Sequence, residues 1–225
     1  MNAPIRAFIK SRTRALGLAA AGALALAGCA SEGDLVIDQG VGITAIRTVC
    51  PAVGIPDHTG DITTFRQKGS RTADNLDVTA ALTNLRSTCN ESGDRVYAEA
   101  TFDVLAQRND PRGARQVTLP YFATVLRGGT SVVSKQVGQV TLNFADGETR
   151  AQASGRAAAY VDRAQATLPD DVRERITRRR EAGDPDAALD PLADPEVRQA
   201  VARATFELLV GFQLTQDQLA YNVTR

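Results

Sequence analysis

The sequence has no tryptophan, one histidine and one methionine, which is its first residue. A lone histidine cannot build a multi-histidine metal centre, and three cysteines without a C-x-x-C pair do not make a zinc site. An excess of one charge is also missing: 26 basic side chains face 26 acidic ones in 225 residues, so the balance attracts no nucleic acid. With 43% apolar and 23% charged residues the chain is too apolar to be a disordered polyelectrolyte. No G-x-S-x-G elbow, phosphate-cradling glycine loop, H-E-x-x-H or calcium loop occurs. The expectation is therefore a protein that is not an enzyme, with no catalytic residues, cofactor or metal. The single histidine, His58 in Pro56-Asp57-His58-Thr59-Gly60, reads as an exposed turn residue rather than a base or a ligand.

What is present begins at the N-terminus. Arg6, Lys10, Arg12 and Arg14 precede an Ala/Leu run from Ala15 to Ala27, interrupted only by Gly17 and Gly22. That run falls short of the roughly 20 apolar residues of a membrane span and reads as the apolar region of a signal peptide, residues 1–28. Its end, Leu26-Ala27-Gly28-Cys29, resembles the lipobox of bacterial lipoproteins, which implies that Cys29 is lipidated and becomes the new N-terminus. The competing reading is an ordinary secretory signal cut after Ala25-Leu26-Ala27. Cysteine arithmetic favours lipidation, because a spare thiol is unexpected in a secreted protein and removing Cys29 leaves Cys50 and Cys89 to form a disulfide in an oxidising compartment. The lipoprotein resemblance further implies, from Ala30 rather than Asp after the cysteine, the periplasmic face of the outer membrane more than the inner membrane. Residues 29–40 form a tether with a coil reach of about 18 Å. Loss of the signal leaves 22 basic against 26 acidic residues, so the body is not drawn to anionic lipid and the acyl anchor must hold it.

Residues 41–225 are read as one mainly β domain. Period-2 alternation marks strands at Leu76–Thr88, Val96–Leu105, Gln116–Leu126, Thr130–Phe144, Thr149–Val161 and Thr205–Leu214. Asn90-Glu91-Ser92-Gly93-Asp94 supplies a hairpin loop, and Asp146-Gly147 is expected to make a second hairpin. Pro120 predicts an edge position or a bulge for its strand, and a shift of phase near Gly138 predicts a bulge there. Each strand carries one apolar face, so a second sheet must cover it; the expected fold is a β-sandwich of immunoglobulin- or fibronectin-like kind.

A segment of different composition, residues 163–204, interrupts the pattern before the last strand and is read as a helical insertion. One helix is expected with Thr167 as cap and Asp170 and Asp171 in its first turn, presenting Val172 and Ile176 on one face. Asp171 with Arg175 and Glu174 with Arg178 are spaced for i,i+4 pairs. A second helix starts at Asp194-Pro195 with a buried stripe of Val197, Ala200, Val201 and Ala204. Thr215 and Gln218 are spaced as a capping box flanked by Leu214 and Leu219 as a staple, which predicts a short terminal helix over about Gln216–Tyr221. The cluster Arg173, Arg175, Arg178, Arg179 and Arg180 could contact an anionic partner such as lipid phosphates or an acidic protein; the alternative is a solvated face neutralised by neighbouring acids.

Cys50-Pro51-Ala52-Val53, Leu119-Pro120-Tyr121-Phe122 and the C-terminal Val210-Gly211-Phe212-Gln213-Leu214-Thr215 with Leu219-Ala220-Tyr221-Asn222 resemble uncharacterised envelope lipoproteins of alphaproteobacteria. The resemblance spans most of the processed chain and implies an envelope address, but it assigns no catalytic residue. Two functions follow as expectations. One is a structural or protein-interaction module held at the membrane by lipid and offering an edge strand or the insertion to an envelope protein. The other is a carrier holding a small apolar ligand between its sheets, for which the small supply of aromatic rings is a poor lining.

Overall fold

The computed structural model describes residues 47–224. Eight strands form two four-stranded sheets that share one core, in the manner of a β-sandwich. They are β1 (Ala52–Gly54), β2 (Asp61–Phe65), β3 (Leu76–Asn90), β4 (Arg95–Arg108), β5 (Arg115–Arg127), β6 (Ser131–Phe144), β7 (Arg150–Asp162) and β8 (Phe206–Phe212). The first sheet has the order β1-β8-β5-β6 and the second β2-β3-β4-β7. Each long strand expected from alternation is present. The two short ones, β1 and β2, escaped the reading because three and five residues carry too little periodicity.

The two inner faces differ in bulk. The first sheet contributes Leu142, Phe144, Phe206, Leu208 and Phe212, and the second is rich in alanine: Ala80, Ala98, Ala100, Ala106, Ala157 and Ala159. Bulky side chains on one sheet thus share the core with small ones on the other, the kind of complement that lets two faces interdigitate. Across the core, Phe102 of the second sheet and Tyr121 of the first meet edge to face at 5.1 Å. Each ring occupies the space of a missing side chain: a Cβ at Gly155 would overlap Phe102, and a Cβ at Gly138 would overlap Tyr121. The Tyr121 hydroxyl then donates to the Arg156 carbonyl of the second sheet at 2.7 Å.

Three local expectations are corrected by this arrangement. Gly138 is therefore not the bulge; the register slips nearer the start of β6, where Val125 faces Ser134 and Leu126 faces Val132, leaving Val133 unopposed. Pro120 lies in an interior strand, not at an edge. Its carbonyl accepts from Gln213 N–H at 2.9 Å, so its missing N–H points the same way, past the end of β8. The β5–β8 ladder accordingly begins one residue later, at Tyr121 opposite Phe212. Asp146-Gly147 does not close a hairpin, because β6 and β7 belong to different sheets. Gly147, at φ 82°, instead turns the chain across the sandwich, with its N–H donated to the Pro111 carbonyl at 2.9 Å.

That crossing is built around Arg108, which is 1% exposed. Its guanidinium donates to four backbone carbonyls, those of Glu148, Gly113, Pro111 and Ala145, at 2.7 to 2.8 Å. The β4–β5 and β6–β7 loops, two of the connections that carry the chain between sheets, are thereby tied to one side chain. A second tie is the fork of Arg115 on β5 with Asp77 on β3, at 2.6 and 2.8 Å. The Arg115 hydrogen bonds hold the Asp77 carboxyl below its ordinary value, against the opposing effect of burial. A carboxylate depressed in the fold stabilises above its unfolded pKa, and that contribution disappears as pH falls through the folded value. The difference in urea midpoint between the native chain and Asp77→Asn is therefore expected to shrink from pH 6 towards pH 2; a constant difference would refute the tie.

Between β7 and β8 the chain forms α1 (Arg163–Ala166), α2 (Asp170–Thr177) and α3 (Pro195–Ala204). Thr167 is not the cap of α2: it ends α1, its hydroxyl bonded to the Arg163 carbonyl at 2.7 Å, and Pro169 precedes α2 without a side-chain cap. Asp194 caps α3 as expected, accepting from Glu196 N–H at 2.8 Å with Pro195 at the first helical position. Leu168, Val172 and Ile176 close on Val197, Ala200 and Val201 to make a small second core, with Ala204 half-buried at its margin. Residues 179–187 stand apart from the compact unit that holds the sandwich and these helices, and within them Glu181 N–H donates to Asp184 at 3.0 Å.

The capping box forms reciprocally. Thr215 N–H donates to Gln218 Oε1 at 2.9 Å and Gln218 N–H to Thr215 Oγ1 at 3.3 Å, opening α4 (Gln216–Thr224). Leu214 packs at the margin of the core, whereas Leu219 is 41% exposed.

Candidate interaction surface

A β-sandwich leaves four strand edges, and each must be paired, covered or blunted to stay inert. On one side, β1 is only three residues long and β2 lies under α4. The buried Asn222 of that helix donates its amide to the carbonyls of His58 and Asp61, both at 2.8 Å, and Tyr221 meets Phe65 edge to face at 5.4 Å. The opposite side is treated differently. Here β6 and β7 end the two sheets, and among the described residues neither has a strand pairing with its outer edge.

The sequence of β6 divides it in two. From Gly138 onward, Val140, Leu142 and Phe144 alternate inward with exposed Gln139, Thr141 and Asn143. From Ser131 to Val137 every residue is exposed, a free edge of about 20 Å. Val132, Val133 and Val137 are 64%, 56% and 60% exposed, large values for β-branched side chains on a strand. Lys135, the residue type that commonly blunts an edge, lies over the Phe122 ring at 5.2 Å from its centroid. On β7, exposed Tyr160 packs on Tyr97 at 5.0 Å. The Tyr97 hydroxyl donates to Glu99, which pushes the phenol pKa up.

The expected disulfide joins Cys50 to Cys89 and ties the segment before β1 to the end of β3. With Glu91 these sulfurs form a cluster of metal-ligating atoms, but the two sulfurs are bonded to each other and cannot serve as thiolates. Cys29 lies outside the described residues. His58 is exposed and adopts φ 62° in its turn.

The five arginines divide between two units, Arg173, Arg175 and Arg178 in one and Arg179 and Arg180 in the other. Arg173 pairs with Asp170 at 2.7 Å, and Arg175 reaches Asp194, the cap of α3, at 2.7 Å rather than Asp171. Arg178 ends α2, its N–H bonded to the Glu174 carbonyl at 2.8 Å. Arg179 and Arg180 fall in the separate unit, where Arg180 meets Asp186 at 3.2 Å. Neighbouring acids thus take up much of this charge.

Between the sheets Phe102, Phe144, Phe212 and Leu142 are at most 2% exposed. The described depressions open on outer surfaces instead. One of about 720 Å³ crosses the second sheet between Asp61 on β2 and Arg150 on β7. Another, of about 320 Å³, lies between residues 47–49 and the helices of the insertion. No helix among the described residues is long and apolar enough to cross a membrane. Comparison with protein-family profiles, with curated proteins and with solved structures gave no match in any of the three.

Proposed function

We propose that the protein is a lipid-anchored lipoprotein of the cell envelope that acts as a non-catalytic interaction module. In this reading Cys29 is acylated and held at the periplasmic face of the outer membrane. The body is an immunoglobulin- or fibronectin-like sandwich that presents the free half of β6 to an extended segment of another envelope protein. The single observation that carries the reading is the exposed edge from Ser131 to Val137 with its three valines. Main-chain pairing along such an edge supplies affinity, and alternate side chains supply specificity. On the opposite side of the sandwich the β2 edge of the second sheet is covered by the chain's own α4, so an exposed edge is not general to the fold. The packed interior gives no support to an apolar ligand between the sheets.

The test places a photoreactive residue at Val133 or Val137 of the intact chain in living cells, with exposed Thr141 as the control. One discrete protein adduct is expected from the first two positions and none from Thr141, with loss of the Val133 adduct when Val132 and Val137 are both changed to lysine. Equal labelling from all three positions, or adducts to lipid alone, would end the docking reading. The anchor is checked separately by the mass of the processed protein and its absence from membranes in Cys29→Ala. An unacylated native chain overturns that part.

A further inference from the structure

The 320 Å³ crevice beside the insertion combines two chemistries that the interaction reading does not use. Its apolar lining comes from Val49 ahead of β1, Ala166 of α1, Leu168, Ile176 of α2 and Ala204 of α3. Its cationic lining is Arg47 and Arg173. Arg47 donates to Thr205 Oγ1 at 2.6 Å and, among the described residues, meets no carboxylate. Arg173 pairs with Asp170, but both side chains are more than half exposed, so water screens that pair and leaves the guanidinium open to a second anion. The hydroxyls of Thr48, Thr167 and Thr177 are committed to Glu91 and to the carbonyls of Arg163 and Arg173.

We infer that this crevice binds a single aliphatic chain headed by a carboxylate, a medium-chain fatty acid. The volume is at the lower end of ligand pockets. If a methylene takes about the ~30 Å³ of a water molecule, roughly ten carbons fit. A two-tailed phospholipid does not. Guanidinium groups match the planar carboxylate fork, so the arginines select an acid over an alcohol of equal length. The inference is independent of the β6 edge: either site can fail without the other.

The test uses the intact chain in phosphatidylcholine nanodiscs and follows the carboxyl resonance of 13C-labelled decanoate, with empty nanodiscs as the reference. Saturable binding of one decanoate per chain is expected. Octanoate should bind about tenfold more weakly, as expected for two fewer buried methylenes. Decanol should not displace decanoate. Arg47→Gln should weaken binding at least fivefold, and Ala204→Leu, which fills the crevice, should abolish it, each with an unchanged melting temperature. A second substitution, Ala166→Leu, replaces Ala204→Leu if that variant does not fold. No signal beyond empty discs, displacement by decanol, or native affinity in either the Arg47 or the filling variant overturns the inference. So does loss of decanoate binding in discs containing phosphatidylglycerol, which would assign the crevice to bilayer lipid.

Discussion

Arg108→Met is expected to cost about 3–5 kcal/mol of folding stability, more than any surface substitution in the protein. Methionine keeps much of the packing against Phe144, whose ring lies 5.2 Å from the guanidinium, but removes every donor. The carbonyls of Pro111, Gly113, Ala145 and Glu148 are then left in the corner without their partner. Each acceptor buried unsatisfied costs about 1–3 kcal/mol, and relaxation of the two loops towards water recovers part of the sum. Lysine is expected to restore little, because three donors on a tetrahedral nitrogen cannot reproduce a planar fork that reaches two loops at once. Urea unfolding of both variants checks this, with Arg112→Ala as the control on an 87% exposed neighbour that should leave the midpoint in place. A native midpoint in Arg108→Met would show that the crossing loops hold themselves.

Reducing the disulfide is expected to lower stability by roughly 4 kcal/mol. The bond closes a loop of 39 residues, and in the chain-entropy model that constraint on the unfolded state is worth about this much. The native fold feels a local effect as well. The strand β1 has three residues and pairs in parallel with β8, so little else fixes it once Cys50 is released. Hydrogen exchange at Ala52–Gly54 should accelerate on reduction well before exchange in β3 and β4, whose ladder is long and antiparallel. The same thermal midpoint with and without reductant would refute the stabilisation. Uniform acceleration across both sheets would refute the local release.

The elements legible in the sequence were those whose signal lies within one stretch of chain. The alternation of Val96, Ala98, Ala100, Phe102 and Val104 gives β4 its inner face in any partner arrangement, because successive side chains on a strand always point to opposite sides. Asp194-Pro195 and Thr215 with Gln218 mark helix starts for the same reason, since a cap bonds within its own first turn. Cys50 and Cys89 were paired by counting and by the lipobox resemblance, and they are bonded in the fold. Apolar pattern likewise marked Val172 and Ile176 on one helix and Val197, Ala200 and Val201 on the other as inward faces, and the fold closes them on each other as a second core.

The candidate surfaces were less legible. Three valines in Ser131–Val137 look like core residues in a β pattern, yet Val137 shares the outward side of β6 with Gln139 and Thr141, and Val132 and Val133 flank a register slip that depends on the partner strand β5. The crevice draws on Arg47, α1, α2 and α3, segments up to 157 residues apart between Arg47 and Ala204. Of its arginines, only Arg173 stood out in the sequence.

By itself, then, the sequence determined the six long strands, the helices α2 to α4, the sulfur pair and the expectation of a lipid anchor at Cys29. Tertiary structure alone decided that Asp146-Gly147 crosses between sheets instead of closing a hairpin, that Pro120 sits inside a sheet, and that Gly138 and Gly155 make room for Tyr121 and Phe102. It also decided that Arg108 is buried. The physical reason is common to all four. A turn, a proline, a glycine or an arginine has several locally acceptable environments, and the choice among them depends on which distant backbone carbonyl, strand end or aromatic ring the fold brings against it.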